Sequence, residues 1–321
     1  MDKKLTRRGL VGAAAGTAAA TTLGPLSPIA RGQGAAPGAA LLPRANIGIQ
    51  LWTVRDQVAN LGFDAVFARL AAMGYKEVEF AGYNAQGRRW SNQELRGLLA
   101  KYGLRAIGSH VGYTGGYSFT SSLQQVLTDA AEIGMPYIGT ASSPGDAHGQ
   151  SVDGYKAAAE DFNKFGAAAR AMGLKFYQHN HFGEFEVQNG TRLFNVVVEN
   201  TDPRLVFFEQ DIFWAHVGQA AYPGFRPHEY PWNMPERFPL FHVKDGFVEA
   251  VQPGSPSGWK MTDVGAGDIA FEPYFCGLDT RDHQFLMEND DAAQEVGGSF
   301  ADAERSYDYM ASLRVRHPST T

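Results

Sequence analysis

Cysteine is almost absent from these 321 residues. Cys276 stands alone, so no intramolecular disulfide can form and a thiolate-rich zinc site is excluded. Positive charge is also scarce: 28 Lys and Arg face 34 Asp and Glu, a net of −6. Residues 1–40 hold Lys3, Lys4, Arg7, Arg8 and Arg31 against Asp2, a net of +4, which leaves about −10 on the remainder. An acidic body without a basic stripe is a poor partner for nucleic acid. Long apolar runs are missing too. Residues 9–23 are rich in alanine, glycine and threonine, too short and too weakly hydrophobic for a stable membrane span. No glycine-rich phosphate loop follows the first strand-like segment, which argues against a dinucleotide-binding open sheet.

Lys3, Lys4, Arg7 and Arg8 ahead of that weakly apolar run form a signal-peptide pattern. Thr6-Arg7-Arg8-Gly9-Leu10 fits a twin-arginine export signal, with an ordinary secretory signal as the alternative. The Gly/Ala/Pro-rich segment 32–43 reads as a linker or cleavage region. The expected organisation is therefore an export signal and linker over 1–40 and one folded body over 41–321. The expected location is the periplasm or outside the cell, with no membrane attachment after cleavage.

Period-2 and helical patterns alternate from Asn46 onward. Segments 47–52, 77–80, 105–110 and 137–140 read as strands, a fifth opens at Lys175, and 205–211, 240–243 and 284–288 complete eight. Between them lie helical repeats such as Phe63, Val66, Phe67, Leu70 and Met73, and the segments 122–133 and 152–172. Ser91-Asn92-Gln93-Glu94 is a capping box, and a closing helix through Phe300, Ala303, Tyr307, Met310 and Leu313 takes Ser299 as its cap. Gly74, Gly103, Gly134 and Gly173 each stand between a helix and the next strand, the punctuation of repeated βα units. Eight strands in about 270 residues fit a single (β/α)8 barrel, a fold of about 250 residues.

In such a barrel the C-terminal strand ends line the site. Here they read Gln50, Glu79, His110, His179 with His181, Asp211, His242 with Lys244, and Glu288. On a strand, Tyr177, His179 and His181 share one face. Taken alone, the two histidines read as strand-end imidazoles bonded to carbonyls. An acid ending the apolar run Val206-Phe207-Phe208 or Phe285-Leu286-Met287 is costly unless paired or bound to a cation. Asp211, His242 and Glu288 on strands six, seven and eight together read as ligands of one divalent cation. Carboxylates and imidazoles without thiolate favour Mn2+, Mg2+, Zn2+ or Co2+.

Phe241-His242-Val243-Lys244-Asp245, Glu209-Gln210-Asp211-Ile212-Phe213-Trp214-Ala215 and Met287-Glu288-Asn289-Asp290 resemble the xylose-isomerase-like superfamily. This is the group of sugar phosphate isomerases/epimerases and inosose dehydratases. Segments 47–52 and 264–269 fit it as well, and the resemblance covers 45–315 in order. It implies a Glu, Asp, His, Glu set on strands five to eight, of which Asp211, His242 and Glu288 are the last three. His179 then stands where the first glutamate is expected, as a fourth ligand or beside a three-ligand site completed by water.

The resemblance further implies proton abstraction next to a carbonyl, with Glu288 as base and His179 or His181 as the acid. The outcome is isomerisation or epimerisation; elimination of water or an aglycone is the alternative. Lys244 bonds an enolate or a substrate hydroxyl, or else pairs with Asp245. Gln50 binds substrate, Glu79 and His110 bond substrate or orient ligands, and Trp52, Phe213 and Trp214 stack on a sugar or pack in the core. The expected partner is a non-phosphorylated keto sugar or cyclitol, with a homo-oligomer left open. A non-catalytic sugar-binding barrel is the alternative from another class.

Overall fold

In a computed structural model, which describes residues 38–82 and 90–315, short apolar runs of β-formers become eight strands. They are Ile47–Gln50 (β1), Glu77–Phe80 (β2), Arg105–Ser109 (β3), Tyr137–Thr140 (β4), Lys175–His179 (β5), Val206–Asp211 (β6), Leu240–Val243 (β7) and Gln284–Met287 (β8). All pair in parallel, in the order β3-β2-β1-β8-β7-β6-β5-β4. The ends of that sheet meet where His110 bridges Gly139 and the Val111 N–H donates to the Gly139 carbonyl at 2.8 Å. A nearly closed barrel results, with little free strand edge.

Around it run Arg55–Met73 (α1), Asn92–Tyr102 (α2), Phe119–Ile133 (α3), Val152–Ala171 (α4), Leu193–Asn200 (α5), Ile212–Ala221 (α6), Phe271–Phe275 (α7) and Gly298–Ser312 (α8). The capping box at Ser91 forms as the sequence predicts. Gly74, Gly103, Gly134 and Gly173 all take positive φ, between 65° and 115°, where a Cβ would be strained. Two helix starts differ from expectation. α3 begins at Phe119 because Ser118, not a later residue, accepts the Ser121 N–H. α8 is entered through Gly297 in the left-handed region, while Ser299 donates instead to Asp56 Oδ1 at 2.7 Å.

The expected export signal lies outside the described residues, apart from residues 38–40. Residues 38–42, read from composition as linker, pair with the chain's other end. The Leu41 N–H donates to the Leu313 carbonyl at 2.9 Å and the Val315 N–H to the Ala39 carbonyl at 3.0 Å. Leu41 and Leu42 are buried, and two leucines among small residues are a weak compositional signal. No helix among the described residues is long and apolar enough to cross a membrane.

Inside the barrel, Ile107, Tyr137, Tyr177, Leu240 and Leu286 make an apolar floor separate from the main core. Tyr177 fits because the facing residue is Gly139, where a Cβ would lie 2.5 Å from the tyrosine ring. Two residues further along their strands, Tyr177, Leu240 and Leu286 give way to His179, His242 and Glu288. The polar layer is thus one strand repeat above the floor.

Candidate active site

Strand alternation decides which side chains meet. On β6, Glu209 and Asp211 face the barrel interior, while Gln210 turns outward and donates to the Pro227 carbonyl at 2.9 Å. Tyr177 and His179 on β5, His242 on β7 and Glu79 on β2 share that interior, all buried. Lys244 and Glu288 follow immediately after their strands, and His110 sits at the barrel's closing bridge.

Glu79 anchors the lower edge. Its Oε2 accepts the Gln50 amide at 2.7 Å and contacts His242 Nε2 at 2.6 Å, and its Oε1 accepts the Tyr177 hydroxyl. His242 Nδ1 lies 2.7 Å from Glu288 Oε2. His179 Nδ1 is 3.0 Å from Glu209 Oε2, and its Nε2 is 3.6 Å from Asp211 Oδ2. Lys244 Nζ sits 2.7 Å from Glu288 Oε2, 3.1 Å from Asp211 Oδ2 and 3.1 Å from Asp290 Oδ2. Asn180 clips β5 to β6: its Oδ1 accepts the Asp211 N–H at 3.1 Å and its Nδ2 donates to the Asp211 carbonyl at 3.2 Å.

Burial and charge pull these groups in opposite directions. Burial alone would neutralise Glu288, yet Lys244 and His242 hold it well below the ordinary carboxylate range. Glu209 is held low against burial by the His242 charge and by imidazole hydrogen bonds. Burial pushes Asp211 up to about 6, Lys244 and His242 working against it. Lys244 and His242 stay charged because the acids around each outweigh desolvation. Burial drives His179 far down and His181 down to about 3, so both are neutral.

With ring protons placed by their partners, neutral His179 donates its Nδ1–H to Glu209 and turns a lone pair toward Asp211 Oδ2. Asp211 Oδ1 is occupied as the cap of α6, accepting the Trp214 N–H at 2.8 Å. Its Oδ2 is buried and receives no hydrogen bond, the Lys244 ammonium at 3.1 Å being poorly aligned. A lone pair facing a carboxylate oxygen that has a poorly aligned ammonium for its neighbour is a place that suits a further cation. Asp211, His242 and Glu288 have ligand atoms within 4.8 Å of one another, so the residues present fit a divalent ion once His242 loses its Nδ1 proton, with His179 beside them.

A second group, His110, His179, Glu209 and His242, is equally tight but fits less well. Gln50 accepts the Trp52 N–H through Oε1, so its amide nitrogen faces His110 Nδ1, at 3.5 Å. That places the His110 proton on Nε2, donating to Glu209 at 2.8 Å, with no lone pair left there for a metal.

A cavity of about 450 Å3 opens above the cluster, lined among others by Trp52, His110, His179, His181, Lys244, Glu288 and Asp290. The structure chooses among the expected alternatives. Gln50, expected at the substrate, is fully buried beneath the cavity and donates to Glu79, and Glu79, equally buried, contacts His242, the second of the two roles expected for it. Trp214 is 6% exposed and does not line the cavity; it packs against Trp259 and His181. Phe213 is core. Lys244 does not pair with Asp245, whose carboxylate accepts the Gly246, Gly265, Gly267 and Ile269 N–H groups. Glu209 and Asp290 escaped sequence reasoning. Glu209 had a signal, since it precedes Asp211 by one strand repeat. Glu184, also missed, is buried and accepts the His181 N–H at 3.0 Å.

No protein-family model matches the chain. Inosose dehydratase from Clostridium perfringens is 29% identical over 144 residues, 40% of this chain. The match covers 44% of that enzyme, so the chain spans less than half the length of the curated relatives it matches. A sugar phosphate isomerase/epimerase from Parabacteroides distasonis superposes with a TM-score of 0.67 at 22% identity, over 83% of this chain and 93% of that one. The IolI protein, solved with a zinc atom bound, gives 0.63 at 12% identity over 83% and 98%. In fold, this chain is a single (β/α)8 barrel similar to these solved structures.

Proposed function

We propose that the chain is a divalent-metal-dependent enzyme that removes a proton next to the carbonyl of a non-phosphorylated keto sugar or cyclitol. The observation that carries this is Asp211 Oδ2, buried and without a hydrogen bond, facing the His179 lone pair beside His242 and Glu288. Asp211, His242, Glu288 and His179 would hold the ion, which supplies Lewis-acid polarisation of a substrate oxygen when bound. Zinc in IolI supports a metal in this fold, the choice among Mn2+, Mg2+, Zn2+ and Co2+ being open.

Glu288 is an ionised carboxylate on the cavity wall and is the base. The Lys244 ammonium, 2.7 Å from it, steadies charge developing on the substrate oxygen. His181 is neutral and acts as an N–H donor to a substrate oxygen, not as the acid expected of it. His179 is held between Glu209 and Asp211 and serves as a ligand. Lys244 is the one Lys or Arg on the cavity wall among the described residues, and three carboxylates already claim it, which disfavours a phosphorylated substrate. The export signal read in 1–40 would place this chemistry in the periplasm.

Isomerisation and elimination share this first step. The match to inosose dehydratase favours elimination as the second reading. Incubation with a panel of keto sugars and inososes in D2O tests both. Deuterium at the α-carbon of recovered sugar marks isomerase or epimerase, and loss of water or aglycone marks a lyase. Glu288→Gln should abolish either while sugar binding persists. Exchange that continues in E288Q, or binding without any turnover in the wild type, sinks the enzyme reading in this form.

A further inference from the structure

One carboxylate oxygen collects three imidazoles. Glu209 Oε2 lies 2.8 Å from His110 Nε2, 3.0 Å from His179 Nδ1 and 3.1 Å from His242 Nε2. Glu209 is fully buried, and its place is set by the sheet, because β5 and β6 pair with His179 directly opposite Glu209. The separation of the two residues is fixed by a parallel ladder and not by a loop.

The three contacts are not equivalent. His242 Nε2 also reaches Glu79 Oε2 at 2.6 Å, so its proton has a second acceptor. His110 Nε2 has Glu79 Oε1 at 3.5 Å as an alternative. For His179 Nδ1, Glu209 is the one partner among the described residues. A neutral imidazole has one N–H and one lone pair, and the partner of the first decides where the second points. We propose that Glu209 is a positioning residue that makes His179 an ion ligand. It accepts the Nδ1–H hydrogen bond, keeping the proton on that nitrogen, and so aims the Nε2 lone pair at Asp211 Oδ2, 3.6 Å away. The carboxylate behind the ring also makes the ligating nitrogen more basic. One strand, β6, thereby supplies both a ligand, Asp211, and the group that orients the ligand of its neighbour. This proposal rests on the ion-binding reading above.

Protein stripped with EDTA is titrated with Zn2+ or Co2+ by calorimetry as wild type, E209Q, E209D, H179A and H179A/E209Q. E209Q should weaken ion binding about 10- to 100-fold, with part of the loss recovered in E209D. In the H179A background, E209Q should change the affinity little, because nothing is left to position. An equal loss in both backgrounds, or an unchanged affinity in E209Q, overturns the proposal and leaves the ion-binding reading standing. A wild type that binds no divalent ion overturns both. Histidine 15N–1H correlation spectra give a readout that a general loss of stability would not mimic. The wild type should show His179 protonated at Nδ1, and E209Q should lose that form; protonation at Nε2 in the wild type refutes the assignment.

Discussion

Replacing Lys244 by methionine tests whether an ammonium and a divalent ion do the same electrostatic work in this barrel. Lys244 is 2% exposed and has three carboxylates within 3.1 Å. At an effective dielectric of about 20, opposite charges 3 Å apart attract by roughly 5 kcal/mol, most of it offset by stripping water from the ions. Removing one partner from such a set costs about 3–5 kcal/mol, because the remaining charges stay buried and uncompensated. Methionine keeps much of the side-chain volume, so a cavity is not the main cause. For a domain of this size roughly 2 °C of midpoint accompanies each kcal/mol, so K244M should melt about 6–10 °C below the wild type in chelator. A divalent ion at 100 times its Kd returns about 2.7 kcal/mol, provided nothing has to be displaced. If the ammonium and the ion compete for Asp211 and Glu288, the ion-induced shift should be larger in K244M. Scanning calorimetry with EDTA and then with excess Mn2+ measures both shifts. Equal shifts in the two proteins, or a K244M as stable as wild type in chelator, would refute the reasoning.

Two further outcomes follow from other parts of the molecule. Glu77, 1% exposed at the start of β2, has its carboxyl pushed up by burial to about 7 although Arg105 stands 2.7 Å away. Its folded pKa lies above the unfolded value, so stability is full below about pH 4.5 and falls as pH rises through 7, by roughly 3 kcal/mol in all. Glu77→Gln should flatten that slope, and parallel urea-melt stabilities from pH 4 to pH 8 in both proteins would count against it. Trp52, 45% exposed on the cavity rim with the Arg55 guanidinium 4.4 Å from its ring, offers a face to a sugar. Trp52→Ala should raise KM about 3- to 10-fold with kcat nearly unchanged, and a fall in kcat at constant KM would place Trp52 elsewhere in the mechanism.

The sequence exposes periodicity well and partnership poorly. Eight strands and the glycine-stopped helices were legible because each rests on local rules, a run of β-formers or one residue that tolerates positive φ. Asp211, His242 and Glu288 were legible because an ionisable group ending an apolar strand is costly wherever the fold puts it. What was hidden depends on which side chains meet across the barrel. Gln50 and Glu79 sit at strand ends like the others, but Tyr177 and His242 engage Glu79 from below the cavity, and that is a matter of depth. Ser299 satisfies the sequence rule for a cap, yet Asp56 takes its hydroxyl. Lys244 and Asp245 are adjacent in sequence and face different partners, because one points into the barrel and the other into a loop of backbone N–H groups.

The depth of the cluster also explains how so many acids stay buried together. Glu79, Glu209, Asp211 and Glu288 are each at most 4% exposed, and against them stand two internal cations, His242 and Lys244, both kept charged by those same acids. The two cations are not interchangeable. His242 lies between Glu79, Glu209 and Glu288, deep in the barrel, and would have to release its Nδ1 proton to solvent to offer that nitrogen to an ion, keeping its Nε2–H on Glu79. Lys244 lines the cavity among Asp211, Glu288 and Asp290, so two of its three carboxylates are the ones an ion would share. Were Asp211 and Glu288 to hold an ion, Lys244 would keep Asp290 and face the cavity, where a developing negative charge on a substrate oxygen would be a further partner for it. On this account Lys244 serves the substrate with the ion in place, and K244M should lose turnover even when its ion affinity is intact.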